Sequence, residues 1–325
     1  MKVLVTGADG FIGSHLAERL CRDGHEVTAL VQYNSFNGRG WLDGSPLGDR
    51  MRVLGADVRD PFLCRSACRG QEIVYHLAAL IAIPFSYVAP QSYVETNVTG
   101  TLNLCQAALE AGVSRFVQMS TSEVYGTARY VPIDEDHPLQ AQSPYSASKI
   151  AADAIATSHA AAFDLPVAIA RPFNTYGPRQ SARAVIPNIV AQIASGAESV
   201  RLGATSPTRD FTFVEDTCEA LIALAASEAA LGRVTNIGSN REISVADLFA
   251  RIARIMGSSA TIEADPQRDR PAASEVFRLR CDNTRLVETM GAFPAHSLER
   301  GLEKTVAWFR EPENLARYRP DVYNV

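Results

Sequence analysis

The chain has 325 residues, 46% of them hydrophobic and 21% charged, and a formal net charge of −5. That length holds one large domain, or a main domain with a smaller partner, around a substantial core. The charge argues against nucleic acid or an anionic membrane surface as the main partner, and a small anion needs only a few local arginines.

The first predicted element is an apolar strand over 2–6 that runs into Gly7-Ala8-Asp9-Gly10-Phe11-Ile12-Gly13 and an amphipathic helix over 14–22. Strand, glycine turn and helix in that order form a phosphate-binding device. The glycines permit a tight turn and bring backbone N–H groups to a pyrophosphate at the helix N-terminus. Gly7, Gly10, Phe11, Ile12 and Gly13 are therefore the first cofactor-binding candidates. The second strand, 27–31, ends at Gln32. An acidic residue usually stands there to accept a hydrogen bond from the ribose 2′-OH. With Gln32 in its place, repulsion of a 2′-phosphate is lost, and Arg39, the nearest cation, lies seven residues on. NAD is expected, with NADP left open.

A third strand over 51–54 leads into Gly55-Ala56-Asp57-Val58-Arg59, where Asp57 by itself reads as an Asx turn or a helix cap ahead of Pro61. A fourth strand over 73–77 delivers Leu77, Ala78 and Ala79 to the same sheet edge as cofactor-binding candidates. The uncharged stretch 81–87 follows it. A helix over 98–111 closes at Gly112, and Asn97 just before it reads as a cap.

The fifth strand, 115–120, opens directly into Ser120-Thr121-Ser122-Glu123-Val124-Tyr125-Gly126 at the carboxyl edge, where doubly wound sheets bind ligands. There the Thr121 hydroxyl can orient a substrate hydroxyl, and Glu123 is a candidate general base. Tyr145 and Lys149 stand four apart on a helix that begins at Ser143-Pro144, hence on one face. A phenol of pKa ~10 is a poor base at neutral pH, but a neighbouring ammonium favours its anion. A sixth strand over 167–170 completes an alternating pattern of mostly continuous apolar strands, which predicts a Rossmann-like doubly wound parallel sheet.

Beyond 177 the texture changes to helices over 185–195, 214–229, 245–256 and 298–310, separated by loops and short strands. The expected division is a dinucleotide-binding domain over 1–177 and a smaller α/β substrate-binding region over 178–325. The two interleave, because the strand-like 234–237 can return to the main sheet. The loop 264–273 is rich in charge and proline. Six scattered cysteines read as buried free thiols, and no metal site is expected. No apolar run reaches the ~20 residues of a membrane helix. Met1-Lys2 runs straight into the first strand, so no membrane partner and a cytoplasmic location are expected.

Several motifs occur in the order of the sugar-nucleotide epimerases and dehydratases, extended short-chain dehydrogenase/reductases. They are the Gly7 turn, Thr96-Asn97-Val98, Thr121 to Gly126, Tyr145 with Lys149, Arg171-Pro172-Phe173-Asn174-Thr175-Tyr176-Gly177-Pro178 and Arg209-Asp210-Phe211. More closely, Gln32 to Asn37 with Trp41-Leu42-Asp43, and Pro178 to Pro187, resemble the N-acetylglucosamine-nucleotide 4,6-dehydratases of legionaminic-acid-type pathways.

The resemblance implies a nucleotide-sugar substrate, UDP-GlcNAc or GDP-GlcNAc, and a homodimer built on a four-helix bundle from the helices after Pro90 and Pro144. It sets Asp57 and Val58 beside the adenine, counts Asn97 with the cofactor site, and turns Asn174, Arg209 and Arg270 toward the diphosphate and nucleotide. Arg179 and Arg183 are further anion candidates, since a diphosphate suits guanidinium forks. It also implies three chemical stages. Tyr145, with Thr121 and Lys149, oxidises the sugar at C4. Glu123 then takes the C5 proton while the C6 hydroxyl departs, and hydride returns to C6.

Ser122 departs from the aspartate that dTDP-glucose dehydratases carry there, which leaves Glu123 to serve as both base and acid. UDP-glucuronate decarboxylases share Thr-Ser-Glu, so decarboxylation is an alternative, as is 4-epimerisation, although simple 4-epimerases usually lack the glutamate. A non-catalytic dinucleotide-sensing protein would be expected to lose Tyr145 or Lys149, and both are present.

Overall fold

The computed structural model describes residues 1–268, 276–320 and 322. Its first six strands are β1 (Lys2–Thr6), β2 (Glu26–Gln32), β3 (Arg52–Ala56), β4 (Ile73–His76), β5 (Arg115–Met119) and β6 (Val167–Pro172). Shorter ones follow as β7 (Asn174–Tyr176), β8 (Ser199–Leu202), β9 (Thr208–Arg209), β10 (Phe211–Phe213), β11 (Val234–Ile237), β12 (Ile243–Ser244) and β13 (Thr261–Ala264). A seven-stranded sheet runs in the order β11-β6-β5-β4-β1-β2-β3, and every pair in it is parallel. The chain thus folds as a Rossmann-like doubly wound α/β sheet. The order reverses between β1 and β4, so a crevice opens there at the carboxyl ends of the strands.

The helices are α1 (Phe11–Arg22), α2 (Pro61–Cys68), α3 (Ile83–Val88), α4 (Pro90–Tyr93), α5 (Gly100–Ala111), α6 (Pro144–Phe163), α7 (Val185–Ala194), α8 (Val214–Ala226), α9 (Val245–Met256), α10 (Thr284–Met290), α11 (Leu298–Arg310) and α12 (Pro312–Leu315). Alternation along the strands assigns the two faces of the sheet. Leu4, Val74, Phe116 and Val167 face one layer with Cys64 of α2, Leu104 of α5 and Ala156 of α6. Val3, Val5, Tyr75, Val117 and Ala168 face the other with Leu16 and Leu20 of α1 and Leu221 of α8. Each fully buried leucine or valine adds roughly 1.5–3 kcal/mol, so both layers hold the carboxyl edge rigid.

Residues beyond 177 are not set apart from this sheet. They supply its edge strand β11 and α8, which packs on β5, β6 and α1. β3 extends two residues past the predicted 51–54, because Gln32 pairs with Ala56 and carries the register to the strand end. The helix predicted over 98–111 is broken up. Val94–Thr99 is a π-helical turn and α5 begins only at Gly100, a five-residue hydrogen-bond step that a 3.6-residue period does not reveal.

Candidate active site

The cleft at the switch point encloses about 1360 Å³ and is walled by both halves of the chain. Its floor is the glycine turn. Gly7 has φ +66°, and a Cβ there would meet the Ala78 nitrogen at 2.9 Å. At Gly13 a Cβ would stand 2.1 Å from the Gly7 carbonyl oxygen, so only glycine lets α1 start against β1. Gly10 caps that helix without a side chain of its own and is exposed to the cleft. Phe11, Ile12, Leu77, Ala78 and Ala79 continue the wall. This is a bare-backbone cradle at a helix N-terminus, and it fits the diphosphate of a dinucleotide.

Thr6 holds the cradle to β4. Its hydroxyl accepts from the Leu77 and Ala78 N–H groups at 3.1 and 3.0 Å and lies 2.9 Å from His76 Nδ1. His76 is fully enclosed. Burial, with Lys149 nearby, pushes its pKa down to about 3, so it stays neutral.

The end of β2 holds an acid after all, contributed by the turn. Asp9 Oδ2 accepts the Gln32 N–H at 3.2 Å, and Asp9 and Gln32 both line the cleft. Arg39 is directed elsewhere, to Asp43 at 3.1 Å. The carboxylate expected at position 32 is provided instead by Asp9, which the β1–β2 register brings alongside. Asp57 and Val58 line the same end, with the Asp57 carboxylate gripped by the Arg59 guanidinium at 2.6 to 3.0 Å and held below the usual carboxylate range. Asn97 stands behind the wall and is only 1% exposed. Its amide bonds both backbone groups of Leu80 at 2.8 and 2.9 Å and the Ser148 hydroxyl at 2.9 Å. The π turn aims it inward, and its action on a cofactor runs through the Leu80 loop.

The reacting groups converge from two elements. A capping box of Ser143 and Ser146, with Pro144 in the first turn, starts α6 so that Tyr145 and Lys149 face the carboxyl end of β5. Thr121 leaves β5 in extended backbone, and its hydroxyl accepts the Glu123 N–H at 3.2 Å, closing the short turn that carries Ser122 and Glu123. All five residues line the cleft. Burial pushes the Tyr145 phenol well above its ordinary range, opposed by a hydrogen bond from Thr121 and reinforced by the Glu123 charge. Lys149 donates to the Met119 carbonyl at 2.6 Å, and burial lowers its pKa to about 8. The expected lowering of Tyr145 by Lys149 is therefore not what the protein alone produces, because the ammonium is turned to the strand carbonyl. Tyr93, unmarked in the sequence, packs edge-on to Tyr145 with centroids 6.2 Å apart.

Behind these groups lies a buried ionic network. Asp153, one turn beyond Lys149, accepts from Ser120 at 2.6 Å and from Arg171 at 3.0 and 3.1 Å. Arg171 also donates to the Tyr125 hydroxyl at 3.1 Å, and Tyr125 donates to Asn236 at 2.7 Å. All three bonds to Asp153 fall on its Oδ2, while its Oδ1 is buried without a hydrogen-bond partner, and removing one side of a charge pair this deep costs about 3–5 kcal/mol. It pins β5, β6, β11 and α6 together directly beneath Thr121. The negative charge of Asp153 also favours the ammonium of Lys149.

On the opposite bank, Asn174, Arg183 and Arg209 line the cleft. Arg209 is buried and donates to the Val276 carbonyl at 2.7 Å. Arg183 lies close enough to Tyr93 to act on it electrostatically. Arg179 is paired with Glu18 at 2.9 Å, and Arg270 lies outside the described residues. The apolar stretch from Ile81 to Phe85 faces the same space. Arg268, Arg317 and Arg319 line it too, from segments with no local motif. Cys64, Cys68 and Cys105 are buried with pKa values pushed up to about 12, which keeps them unreactive thiols. Among the described residues no cluster suited to a metal ion occurs, and no helix is long and apolar enough to cross a membrane.

Residues 4–305 match the family model described as GDP-mannose 4,6 dehydratase. The chain is 35% identical over 315 residues to a UDP-glucose 4-epimerase of Mycolicibacterium smegmatis, covering 95% of this chain and 99% of that protein. It superposes with TM-score 0.87 on DesIV, a dTDP-glucose 4,6-dehydratase of Streptomyces venezuelae solved with NAD bound, at 32% identity and with 98% and 99% of the chains covered. TunA, an NAD-dependent NDP-hexosamine 5,6-dehydratase, superposes with TM-score 0.85 at 30% identity, with 99% of each chain covered.

Proposed function

The chain belongs to the GDP-mannose 4,6 dehydratase family of nucleotide-sugar enzymes, and within it we propose an NAD-dependent 4,6-dehydratase acting on a nucleotide-linked N-acetylglucosamine, UDP-GlcNAc before GDP-GlcNAc. The observation that carries this reading is Glu123, which lines the same cleft as Tyr145 and Thr121 and whose charge is felt at the Tyr145 phenol. Epimerisation at C4 needs only oxidation and re-reduction of one carbon, so a carboxylate beside the tyrosine adds nothing to it. Elimination needs a base at C5. The apolar wall from Ile81 to Phe85 supports an acetamido group in preference to a carboxylate, which would be desolvated there without a partner.

In this reading Thr121 orients the C4 hydroxyl and Tyr145 takes its proton. A dinucleotide held by the glycine turn would supply hydride acceptance at C4 and hydride return at C6, and positive charge beside Tyr145. Lys149, held charged with the help of Asp153, supports the phenolate. The C4 ketone acidifies C5, and Glu123 removes that proton and hands it to the departing C6 hydroxyl, a task for which Ser122 is a poor acid. Tyr145 then releases the proton it took, matching the one C5 regains, so the net change is loss of one water. Asp9 stands for the missing acid at position 32 and favours a free ribose 2′-OH over a 2′-phosphate. Gly7, Gly10, Gly13, Asp57 and Val58 hold the dinucleotide, and Asn174, Arg183 and Arg209, with Arg270 by resemblance, hold the substrate diphosphate.

A homodimer through α5 and α6 belongs to the same proposal, as does a cytoplasmic location. The dimer accords with Val94, Leu102 and Phe163 being exposed on or beside those helices. A solution mass of one chain at micromolar concentration would refute it. The test of the function is to incubate purified enzyme with UDP-GlcNAc, GDP-GlcNAc and UDP-glucuronate without added reductant and weigh the products. Loss of water supports the proposal. Loss of carbon dioxide, or an epimer of unchanged mass, overturns it.

A further inference from the structure

The last described segment of the chain returns to the cleft. After α12 the Tyr318 N–H bonds the Leu315 carbonyl at 2.9 Å, and the turn lays Tyr318 on Phe309 with ring centroids 4.7 Å apart. The same ring stacks on Trp41 at 6.4 Å and an interplanar angle of 27°, and the Arg317 guanidinium sits 4.8 Å over the Trp41 ring. Trp41 is itself fastened to the glycine turn, its N–H donating to the Asp9 carbonyl at 3.1 Å. Contact there is so close that a Cβ at Gly40, φ +59°, would stand 2.4 Å from that oxygen. On its other side Tyr318 donates from its hydroxyl to the Gln180 carbonyl at 2.8 Å, and Gln180 reaches the Thr175 carbonyl at 2.8 Å. One ring therefore ties the cofactor bank of the cleft to the substrate bank, with Arg317, Tyr318 and Arg319 all lining the space between.

Arg317 and Arg319 line the same cleft as the bare-backbone cradle, and guanidiniums suit a diphosphate. Two diphosphates are available, that of the dinucleotide and that of the sugar nucleotide. The arm's contacts favour the first, since Trp41 is anchored on Asp9 of the glycine turn. So does turnover, because a cofactor restored in each cycle has no need to leave, whereas substrate must enter and product depart past anything that closes.

We propose that Arg317, Tyr318 and Arg319 form a retaining arm for the resident dinucleotide, with Tyr318 as its anchor and the two arginines as ligands of the cofactor diphosphate. Asp43, which feels the Arg317 charge from the neighbouring loop, is already bonded to Arg39. This rests on the dinucleotide reading above but not on the identity of the sugar.

The test uses the full chain carrying Tyr318→Ala, and separately the double variant Arg317→Gln/Arg319→Gln, which leaves the ring stack on Phe309 intact. Dinucleotide content after desalting is measured by acid extraction, its release by dilution, and UDP binding by calorimetry. Loss of the diphosphate contacts should speed dinucleotide release about tenfold, the equivalent of one charge-assisted hydrogen bond, with UDP affinity unchanged. A double variant that keeps its dinucleotide as the parent does overturns the proposal, whether or not Tyr318→Ala folds. Weakened UDP binding with an unchanged release rate overturns it too, by moving the arginines to the substrate. A parent chain that never carries dinucleotide sinks the cofactor reading itself, a separate failure.

Discussion

Replacing Gly13 by alanine places a methyl carbon 2.1 Å from the Gly7 carbonyl oxygen, 2.8 Å from the carbonyl carbon and 3.0 Å from Ala8 Cα. Ordinary contact for such atoms is about 3.5 Å or more, so α1 and the turn must part by over an ångström. The helix cannot simply slide, since Leu16, Ala17 and Leu20 are buried in the layer beneath the sheet. Nor can the obstacle rotate away, because it is backbone. Overpacking of this kind costs roughly 3 kcal/mol, and in a chain of this size it lowers the melting temperature by roughly 4 °C. Opening the turn also spreads the N–H groups that face the pyrophosphate, so the variant should purify with far less dinucleotide. Gly55→Ala is the control, since a Cβ there meets nothing within 4 Å. It should change stability by no more than about 0.5 kcal/mol. The assay is a thermal melt with acid extraction of bound dinucleotide. A Gly13→Ala chain that melts and binds like its parent would refute the reasoning.

Other outcomes follow from the same geometry. Glu123→Gln should stop the reaction after C4 oxidation, so that adding UDP-GlcNAc builds up the absorbance of reduced nicotinamide while water loss falls by about 10²-fold or more. Undiminished dehydration would remove Glu123 from its role. Asp9→Asn should improve binding of NADP relative to NAD by about tenfold, on the order of one unscreened charge contact. An unchanged ratio in competitive binding would show that Asp9 does not read the ribose. Stability should respond to acid through the buried His76 and the partly buried His15. The pKa values of His76 and His15 fall to about 3 and about 4 from an ordinary 6.5. Their folded pKa values are depressed, so the folded state is undisturbed above pH 6.5 and loses stability as pH falls toward 4. The loss is about 1.4 kcal/mol per pH unit for each histidine. His76→Asn should flatten that slope in chemical denaturation, and an equal slope in both proteins would contradict it.

The features readable from sequence are those in which one residue type is forced by local geometry. Gly7 and Gly13 are glycine because a Cβ would collide, and Tyr145 with Lys149 share a face because helical spacing requires it. The parallel sheet was legible from its apolar strands for the same reason. What escaped depends on register or on distant pairings. Asp9 reaches the end of β2 only through the pairing of neighbouring strands. Arg179 and Arg183 read alike as anion ligands, yet Glu18 on α1 claims the first of them. Asn97 read as a cap, whereas a π turn aims it at Leu80 and Ser148. The Asp153–Arg171–Tyr125–Asn236 network draws single residues from separate elements, and no window of sequence contains it.

The central claim is that hydride transfer here serves the removal of water from a nucleotide-linked N-acetylhexosamine. Its most direct test is mass spectrometry of UDP-GlcNAc incubated with the purified enzyme in water labelled with deuterium. The account predicts a product lighter by one water that carries a single solvent deuterium at C5 and none at C4, with the original C4 hydrogen now on C6. An unchanged mass, or a water-loss product whose C6 hydrogen comes from solvent, would contradict it.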